Sequence, residues 1–168
     1  MHDPSVLAKC DRIIAKGSLS FSLASRLFDP ERRRGAHFLY AWCRFVDDAI
    51  DRAKDRKERE DNLARLKEQT LAAFSGQNEF ADIEFTAFQS VTKDFRIPSE
   101  YALDLIEGMK MDADGFSPEN FSDLERYAYC VAGTVGLMMT HIMGVSDGRA
   151  LRHAVDLGIA LQLTNIAR

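Results

Sequence analysis

Three aspartates near residue 50 are the side chains best placed by type and spacing to do chemistry. Asp47 and Asp51 are four residues apart, so on a helix they share one face, and Asp48 lies three residues before Asp51. Like charges at these spacings destabilise a helix by roughly 0.2–0.5 kcal/mol per pair. Two carboxylates one turn apart suit Mg²⁺, which takes oxygen ligands and usually completes its shell with water and substrate phosphates.

The stripe that carries these carboxylates extends towards the amino terminus through Arg44 and Tyr40. Its flanking residues are apolar, so we expect the carboxylates to lie against a core, where an unpaired charge is costly. Arg44 could hold the same phosphate through two parallel hydrogen bonds. From spacing alone, the commoner explanation is a surface ion pair between Arg44 and Asp48, with the other acids incidental.

Two glycines interrupt a predicted helix in the segment AGTVG, residues 132–136. Gly133 and Gly136 each cost about 1 kcal/mol there relative to alanine, so something must approach this backbone closely. Close packing of another helix is the commoner reason, and a bound ligand is the alternative.

Three polar residues recur every third position near the end of the sequence: Gln162, Asn165 and Arg168. The helix that carries them is otherwise apolar, and buried amides need hydrogen-bond partners. They either satisfy a polar defect in the core or line a polar pocket, and the sequence leaves both explanations open.

Other polar candidates are weaker. Residues 32–34 are all arginine, in the first turn of a predicted helix where the macrodipole disfavours positive charge. A phosphate or an anionic membrane surface would explain them, although a solvated face is commoner. The four histidines show no metal-binding spacing, and no Ser/His/Asp arrangement is visible.

The elements that must position these residues are helices. Helical periodicity persists along the chain and strand-like alternation does not, so we predict an all-α fold. The 168 residues fall in the size range of one domain, and 46% hydrophobic with 29% charged residues excludes a disordered chain. A net charge of −4 argues against a nucleic-acid partner.

Start signals at Asp3-Pro4 and Asp29-Pro30 and stop signals at several glycines divide the chain. Between the first two helices we expect a short polar and aromatic connection at 18–22. The first predicted helix ends at about Lys16. The others cover Pro30 to about Ala53, 56–74, 80–94, Pro98 to about Asp112, Ser122 to Met143, and Asp147 onward.

The last of these helices is still apolar over residues 154–167, with no glycine or proline to end it. We therefore expect the core to need further helices after Arg168. We expect a cytoplasmic protein for three reasons. The three cysteines are widely spaced, the sequence shows no signal peptide, and no apolar stretch is long enough to cross a bilayer.

Several stretches together resemble the squalene/phytoene synthase family, most closely its bacterial phytoene-forming members. Residues 39–44 (LYAWCR) with 47–51 (DDAID) resemble the first aspartate-rich motif, and 17–21 (GSLSF) resemble the flap segment. Further family blocks are matched in order by 107–112 (EGMKMD), 127–139 (YAYCVAGTVGLMM) and 162–168 (QLTNIAR). The matches cover essentially the whole chain.

This resemblance implies the isoprenoid synthase fold, with helices around a deep cavity. It implies head-to-head condensation of two geranylgeranyl diphosphates to 15-cis-phytoene through prephytoene diphosphate, in carotenoid biosynthesis. Mg²⁺, with Mn²⁺ as a substitute, would be held by Asp47, Asp51 and Asn165, and the two aspartates would act in catalysis with Tyr40 and Arg44. The motifs also imply a substrate-binding set: Ser18, Ser20, Phe21, Arg44, Gly133, Val135, Gly136, Gln162 and Arg168.

The family's second aspartate-rich motif follows the segment that corresponds to 165–168, where this chain stops. We therefore expect residues 1–168 to be the amino-terminal part of a single domain, carboxy-terminally truncated and inactive alone. Expected partners are the prenyl diphosphate, carotenoid-pathway enzymes and, peripherally, a membrane.

Two other activities compete with phytoene synthesis. A squalene or presqualene diphosphate synthase using farnesyl diphosphate is the nearer one, although Trp42 and the 127–139 stretch favour phytoene. A non-catalytic member acting in assembly is the other, and the presence of Asp47 and Asp51 counts against it. A truncated product with no function of its own is a third possibility.

Overall fold

A computed structural model describes residues 4–76 and 79–168 as a bundle of helices. No strand occurs within these ranges, and the all-α prediction is confirmed. A π-helical turn at Tyr129–Gly133 joins the seventh helix to the eighth. The α-helices are α1 (Pro4–Gly17), α2 (Leu19–Ser25), α3 (Pro30–Asp51), α4 (Arg56–Ser75), α5 (Ile83–Asp94), α6 (Ser99–Ala113), α7 (Phe121–Ala128), α8 (Thr134–Ile142) and α9 (Gly148–Ile166).

Capping residues set several helix ends as the sequence predicts. The Asp29 carboxylate accepts hydrogen bonds from the backbone N–H groups of Glu31 at 3.1 Å and Arg32 at 3.0 Å, which fixes the start of α3. α4 ends at Gly76, whose φ of 85° lies in the left-handed region that favours glycine. The predicted cap Asp3 lies outside the described residues.

Two predicted segments differ from the structure. The connection predicted at 18–22 begins a short helix, α2, because the Ser18 side chain caps it by accepting from the backbone N–H of Phe21 at 3.3 Å. Seven residues are too few for periodicity to reveal such a helix. The single helix predicted from Ser122 to Met143 is helical at every residue from 121 to 142, but a π turn in its middle separates α7 from α8.

The central helix is α3, which packs against α1, α4, α5 and α6. Its core face carries Trp42, whose ring stacks on Phe88 with the centroids 3.8 Å apart, and both side chains are fully buried. Large aromatic rings contribute most of the apolar area in such a core. This packing fixes the rotation of α3 and leaves its Tyr40–Asp51 stripe on the side away from Phe88.

One face of α9 packs on α7, the π turn and α8, and the other face is open. Leu157 is 62% exposed, and Leu161 and Ile166 are each 50% exposed. The helix ends at Ile166, two residues earlier than the periodicity predicts. Across the described ranges, no helix is both long enough and apolar enough to cross a membrane.

Candidate active site

The predicted carboxylate stripe is formed, because α3 is unbroken from Pro30 to Asp51. Asp47 and Asp48 are partly buried, whereas Asp51, the last helical residue, is exposed. The site is therefore more open than the flanking apolar residues led us to expect. All three acids sit at the negative end of the helix macrodipole, where carboxylates are disfavoured and a cation is favoured.

Arg44 makes ion pairs within this cluster. Its guanidinium donates to Asp47 Oδ2 at 2.9 Å and contacts Asp48 Oδ1 at 2.6 Å, and Arg52 lies 3.0 Å from Asp48 Oδ2. The Arg44–Asp48 pair proposed as an alternative from spacing is thus present. Two arginines neutralise Asp48, and among the described residues Asp51 has no ion-pair partner, so the acids differ in how well their charge is balanced.

A fourth carboxylate approaches from another helix. Asp112, near the end of α6, accepts a 2.7 Å hydrogen bond from the hydroxyl of Tyr127 in α7. The charge of Asp51 acts on Asp112, and the charges of Asp47 and Asp51 act on Tyr127. Asp112 and Tyr127 therefore lie within electrostatic reach of the α3 aspartates, and α3 packs against the helix α6 that carries Asp112.

No separate role for Asp112 or Tyr127 is predicted from the sequence. Asp112 is the last residue of the family-like segment 107–112, and Tyr127 is the first residue of the segment 127–139. Their presence in these segments is the one feature of the sequence that could have indicated a role. Nothing in their spacing indicates that they meet each other or the stripe.

The electrostatics of the cluster favour a bound cation. Burial raises the pKa of Asp47, the neighbouring charge of Asp51 raises it further, and Arg44 opposes both. Burial likewise raises the pKa of Asp112, which the hydrogen bond from Tyr127 lowers and the charge of Asp51 raises. Carboxyl groups that repel one another in this way gain from a cation between them.

The donor set fits a magnesium ion. Within the described ranges, no three His, Cys, Asp or Glu side chains converge closely enough to enclose a metal by themselves. Mg²⁺ does not require such a cage, because it commonly takes one or two carboxylates and fills its remaining positions with water and phosphate oxygens. Asp47 and Asp51 are the carboxylates that would hold it.

The flap residues lie against the other end of the stripe. A Cβ added to Gly17 would collide with the hydroxyl of Tyr40, so glycine permits the contact between α1 and this ring. The rings of Phe21 and Tyr40 are 6.2 Å apart between centroids. The structure thus brings Phe21 to the stripe; the Ser18 side chain caps α2, and Ser20 is exposed.

The helical glycines allow close packing of α9. A Cβ on Gly136 would lie 2.5 Å from the carbonyl oxygen of Ala154, and a Cβ on Gly158 would lie 2.5 Å from that of Ala132. The packing explanation is therefore confirmed for Gly136. Gly133 is buried beside Tyr129, and Val135 is half-buried against the core. A contact of these residues with a substrate stays a prediction.

The polar residues of α9 are open to solvent. Asn165 and Arg168 are exposed and Gln162 is half-buried. In the part of the chain that the structure describes, no side-chain hydrogen bond or ion pair joins them to the α3 aspartates. Their assignment to metal and substrate stays a prediction.

Comparison with known proteins decides the family. Residues 14–168 match the family model described as squalene/phytoene synthase. The chain belongs to this family. Over its whole length it is 46% identical to the phytoene synthase of Pseudescherichia vulneris and 43% identical to the 15-cis-phytoene synthase of Pantoea ananas. The chain spans 57% of the length of each of these two relatives.

Solved structures agree on the fold. A squalene synthase from Alicyclobacillus acidocaldarius superposes with a TM-score of 0.84 at 28% identity, covering 96% of this chain and 60% of that one. A dehydrosqualene synthase solved with a ligand gives a TM-score of 0.78 at 34% identity, covering 96% and 56%. The isoprenoid synthase fold is confirmed. Members of the squalene/phytoene synthase family bind prenyl diphosphates with the help of a divalent metal.

Proposed function

We propose that this chain is the amino-terminal part of a phytoene synthase domain. The whole protein would condense two geranylgeranyl diphosphates head to head, through prephytoene diphosphate, to 15-cis-phytoene. One observation carries the proposal: α3 presents Asp47 and Asp51 on one face, within electrostatic reach of Asp112, in a chain 46% identical to a phytoene synthase.

The proposed roles follow from the family motifs that these residues match. Asp47 and Asp51 hold Mg²⁺, for which Mn²⁺ can substitute, and Asn165 supplies a further oxygen from α9. When bound, the metal supplies Lewis-acid stabilisation of the departing diphosphate. Arg44 and Tyr40, on the same stripe of α3, contact the diphosphate oxygens.

The flap and the later helices bind the rest of the substrate. Ser18, which caps α2, and Ser20, within α2, close over the diphosphate. The contact between the rings of Phe21 and Tyr40 supports this placement of the flap. The prenyl chain passes the segment at Gly133, Val135 and Gly136, and the polar residues Gln162 and Arg168 face the diphosphate.

A binding measurement tests the site on this chain. We expect Mg²⁺ with inorganic pyrophosphate to raise the melting temperature of the 168-residue protein more than either component alone. Mg²⁺ with non-hydrolysable geranylgeranyl thiolodiphosphate should raise it further, because the prenyl chain adds apolar contact. No shift with any of these probes would contradict the proposed site.

Turnover is proposed for the whole protein only, since the chain spans 57% of its relatives' length. Incubation of the purified 168 residues with geranylgeranyl diphosphate and Mg²⁺ should give no phytoene. Phytoene at the rate of a complete relative would overturn the view that this chain is one part of the domain.

The second candidate activity uses farnesyl diphosphate. The TM-score of 0.84 to a squalene synthase favours it, whereas the identities of 40–46% to bacterial phytoene synthases favour the longer substrate. A competition between farnesyl and geranylgeranyl thiolodiphosphates in the melting assay distinguishes the two by which analogue binds more tightly.

A cytoplasmic location beside a membrane is part of the same proposal. Free cysteines at positions 10, 43 and 130 fit a reducing compartment. The exposed side chains of Leu19, Leu23 and Leu27, next to exposed Lys16 and Arg26, offer a surface for anionic lipid. Co-sedimentation with phosphatidylglycerol vesicles, compared with phosphatidylcholine vesicles, tests it. Carotenoid-pathway enzymes are proposed as further partners.

A further inference from the structure

Three polar side chains on three helices form a hydrogen-bonded row away from the aspartate cluster. His37 Nδ1 in α3 lies 2.6 Å from Oδ1 of Asp11 in α1, and His37 Nε2 lies 2.9 Å from Oγ of Ser25 at the end of α2. His37 is 8% exposed and Ser25 is 3% exposed. This is a Ser/His/Asp arrangement that the sequence did not show, because 12 and 26 residues separate His37 from its partners.

The row is not arranged for nucleophilic catalysis. The Ser25 hydroxyl also lies 2.8 Å from the carbonyl oxygen of Ser22, which competes with His37 Nε2 for its one proton. The burial of Ser25 also keeps a substrate from its oxygen.

The row instead fixes one end of α2. Apart from its Ser25 end this helix is largely open, since Leu19, Phe21 and Leu23 are 72%, 57% and 51% exposed. Arg33 reinforces the same end by donating to the carbonyl oxygen of Ser25 at 3.2 Å, and to two carbonyl groups of the turn that follows. The strong polar contacts of α2 are thus concentrated at its carboxyl end.

We propose that His37 is a positioning residue for the flap: through Ser25 and Asp11 it sets the place from which α2 presents Ser18, Ser20 and Phe21. A helix held at one end pivots there, so loss of the contact should loosen the whole of α2 while the core of α3 and α5 stays intact. The part of this inference that concerns diphosphate rests on the proposed function, whereas the attachment of α2 does not.

Amide hydrogen exchange of the 168-residue chain, read by mass spectrometry without ligand, tests the attachment. In His37→Leu and Ser25→Ala we expect amides of residues 21–25 to exchange at least about tenfold faster, with α5 amides unchanged. His37→Gln should restore part of the protection, because a glutamine amide has both a donor and an acceptor and can hydrogen-bond Ser25 Oγ near the position of Nε2. His153→Gln is the matched control, since that histidine is exposed and lies 3.8 Å from Asp156.

Two exchange results would overturn the proposed attachment of α2. Wild-type exchange of α2 in a folded His37→Leu or Ser25→Ala protein overturns the proposal, and so does equal acceleration throughout the molecule. If His37→Leu does not fold, Ser25→Ala decides, because it removes one hydroxyl only.

Ligand binding by the same variants then tests whether His37 positions the flap. Mg²⁺ with inorganic pyrophosphate should bind Ser25→Ala several-fold more weakly than wild type, and His37→Gln should lie between the two. Equal binding by all variants, despite faster exchange of α2, overturns the positioning role. Absence of pyrophosphate binding in wild type counts against the proposed function, and the ligand-free exchange still decides the attachment.

Discussion

The hydroxyl of Tyr127 donates a 2.7 Å hydrogen bond to Oδ1 of Asp112, joining α7 to α6 across 15 residues of chain. The bond stabilises the ionised form of Asp112, whereas burial and the charge of Asp51 act against it. Tyr127 experiences the same field, because burial and then Asp112 raise its pKa. The pair therefore keeps a negative charge available beside the α3 aspartates at a position that disfavours it.

Tyr127→Phe should raise the pKa of Asp112 further, because the hydrogen bond that lowers it is lost. We expect about 1 kcal/mol lower stability, below the roughly 1.5–3 kcal/mol of a hydrogen bond to a charged group, since neither side chain is fully buried. Carboxyl NMR titration and urea unfolding measure the two effects. Tyr129→Phe is the matched control, since its hydroxyl bonds Asp104 at 2.9 Å; it should leave the Asp112 titration unchanged.

Asp47→Asn and Asp51→Asn should each abolish most of the melting-temperature increase produced by Mg²⁺ with pyrophosphate. Without ligand, both variants should be as stable as wild type or more so, because like-charge repulsion at i and i+4 is removed. Asp61→Asn, at an exposed position of α4, controls for the loss of one charge. A full ligand response in both site variants would show that the stripe does not hold the metal.

The stability of the protein should depend on the ionisation of Asp47. Its pKa is raised from 3.8 in the folded state, so the stability it contributes is complete below the unfolded pKa and is lost as pH rises through the folded pKa. Asp47→Asn should therefore flatten the decline of the melting temperature above about pH 4.

Asp29 has the opposite pKa shift and serves as the comparison for this pH series. Backbone hydrogen bonding from Arg32 lowers the pKa of the cap residue Asp29, so its contribution is present above the unfolded pKa and is lost as pH falls. Asp29→Asn should alter the acid side of the profile only. If the two variants gave the same profile, the assigned directions would be wrong.

Gly158→Ala should lower stability by about 1–3 kcal/mol and disturb the packing of α9 on the π turn. The new Cβ would lie 2.5 Å from the carbonyl oxygen of Ala132 and 2.9 Å from Cα of Gly133, and backbone atoms cannot move aside as a flexible side chain can. Gly148→Ala in the same helix has nothing within 4 Å and should be neutral or slightly stabilising. Chemical denaturation of both variants measures the difference, and equal stabilities would contradict the close approach.

Features set by local spacing were predictable from the sequence. The all-α class, the cap at Asp29 and the common stripe of Arg44, Asp47 and Asp51 follow from helical geometry within one segment. The Arg44–Asp48 ion pair was foreseen for the same reason. Family resemblance added the fold, since its motifs follow in order along the chain.

Features that join separate helices were decided only by the tertiary structure. The approach of Asp112 and Tyr127 to α3, and the Asp11–His37–Ser25 row, depend on how helices rotate and cross, which core packing around Trp42 and Phe88 fixes. No spacing along the chain encodes such contacts. The sequence by itself therefore determined which carboxylates share a helix face, and packing determined which other side chains meet them and how the flap is held.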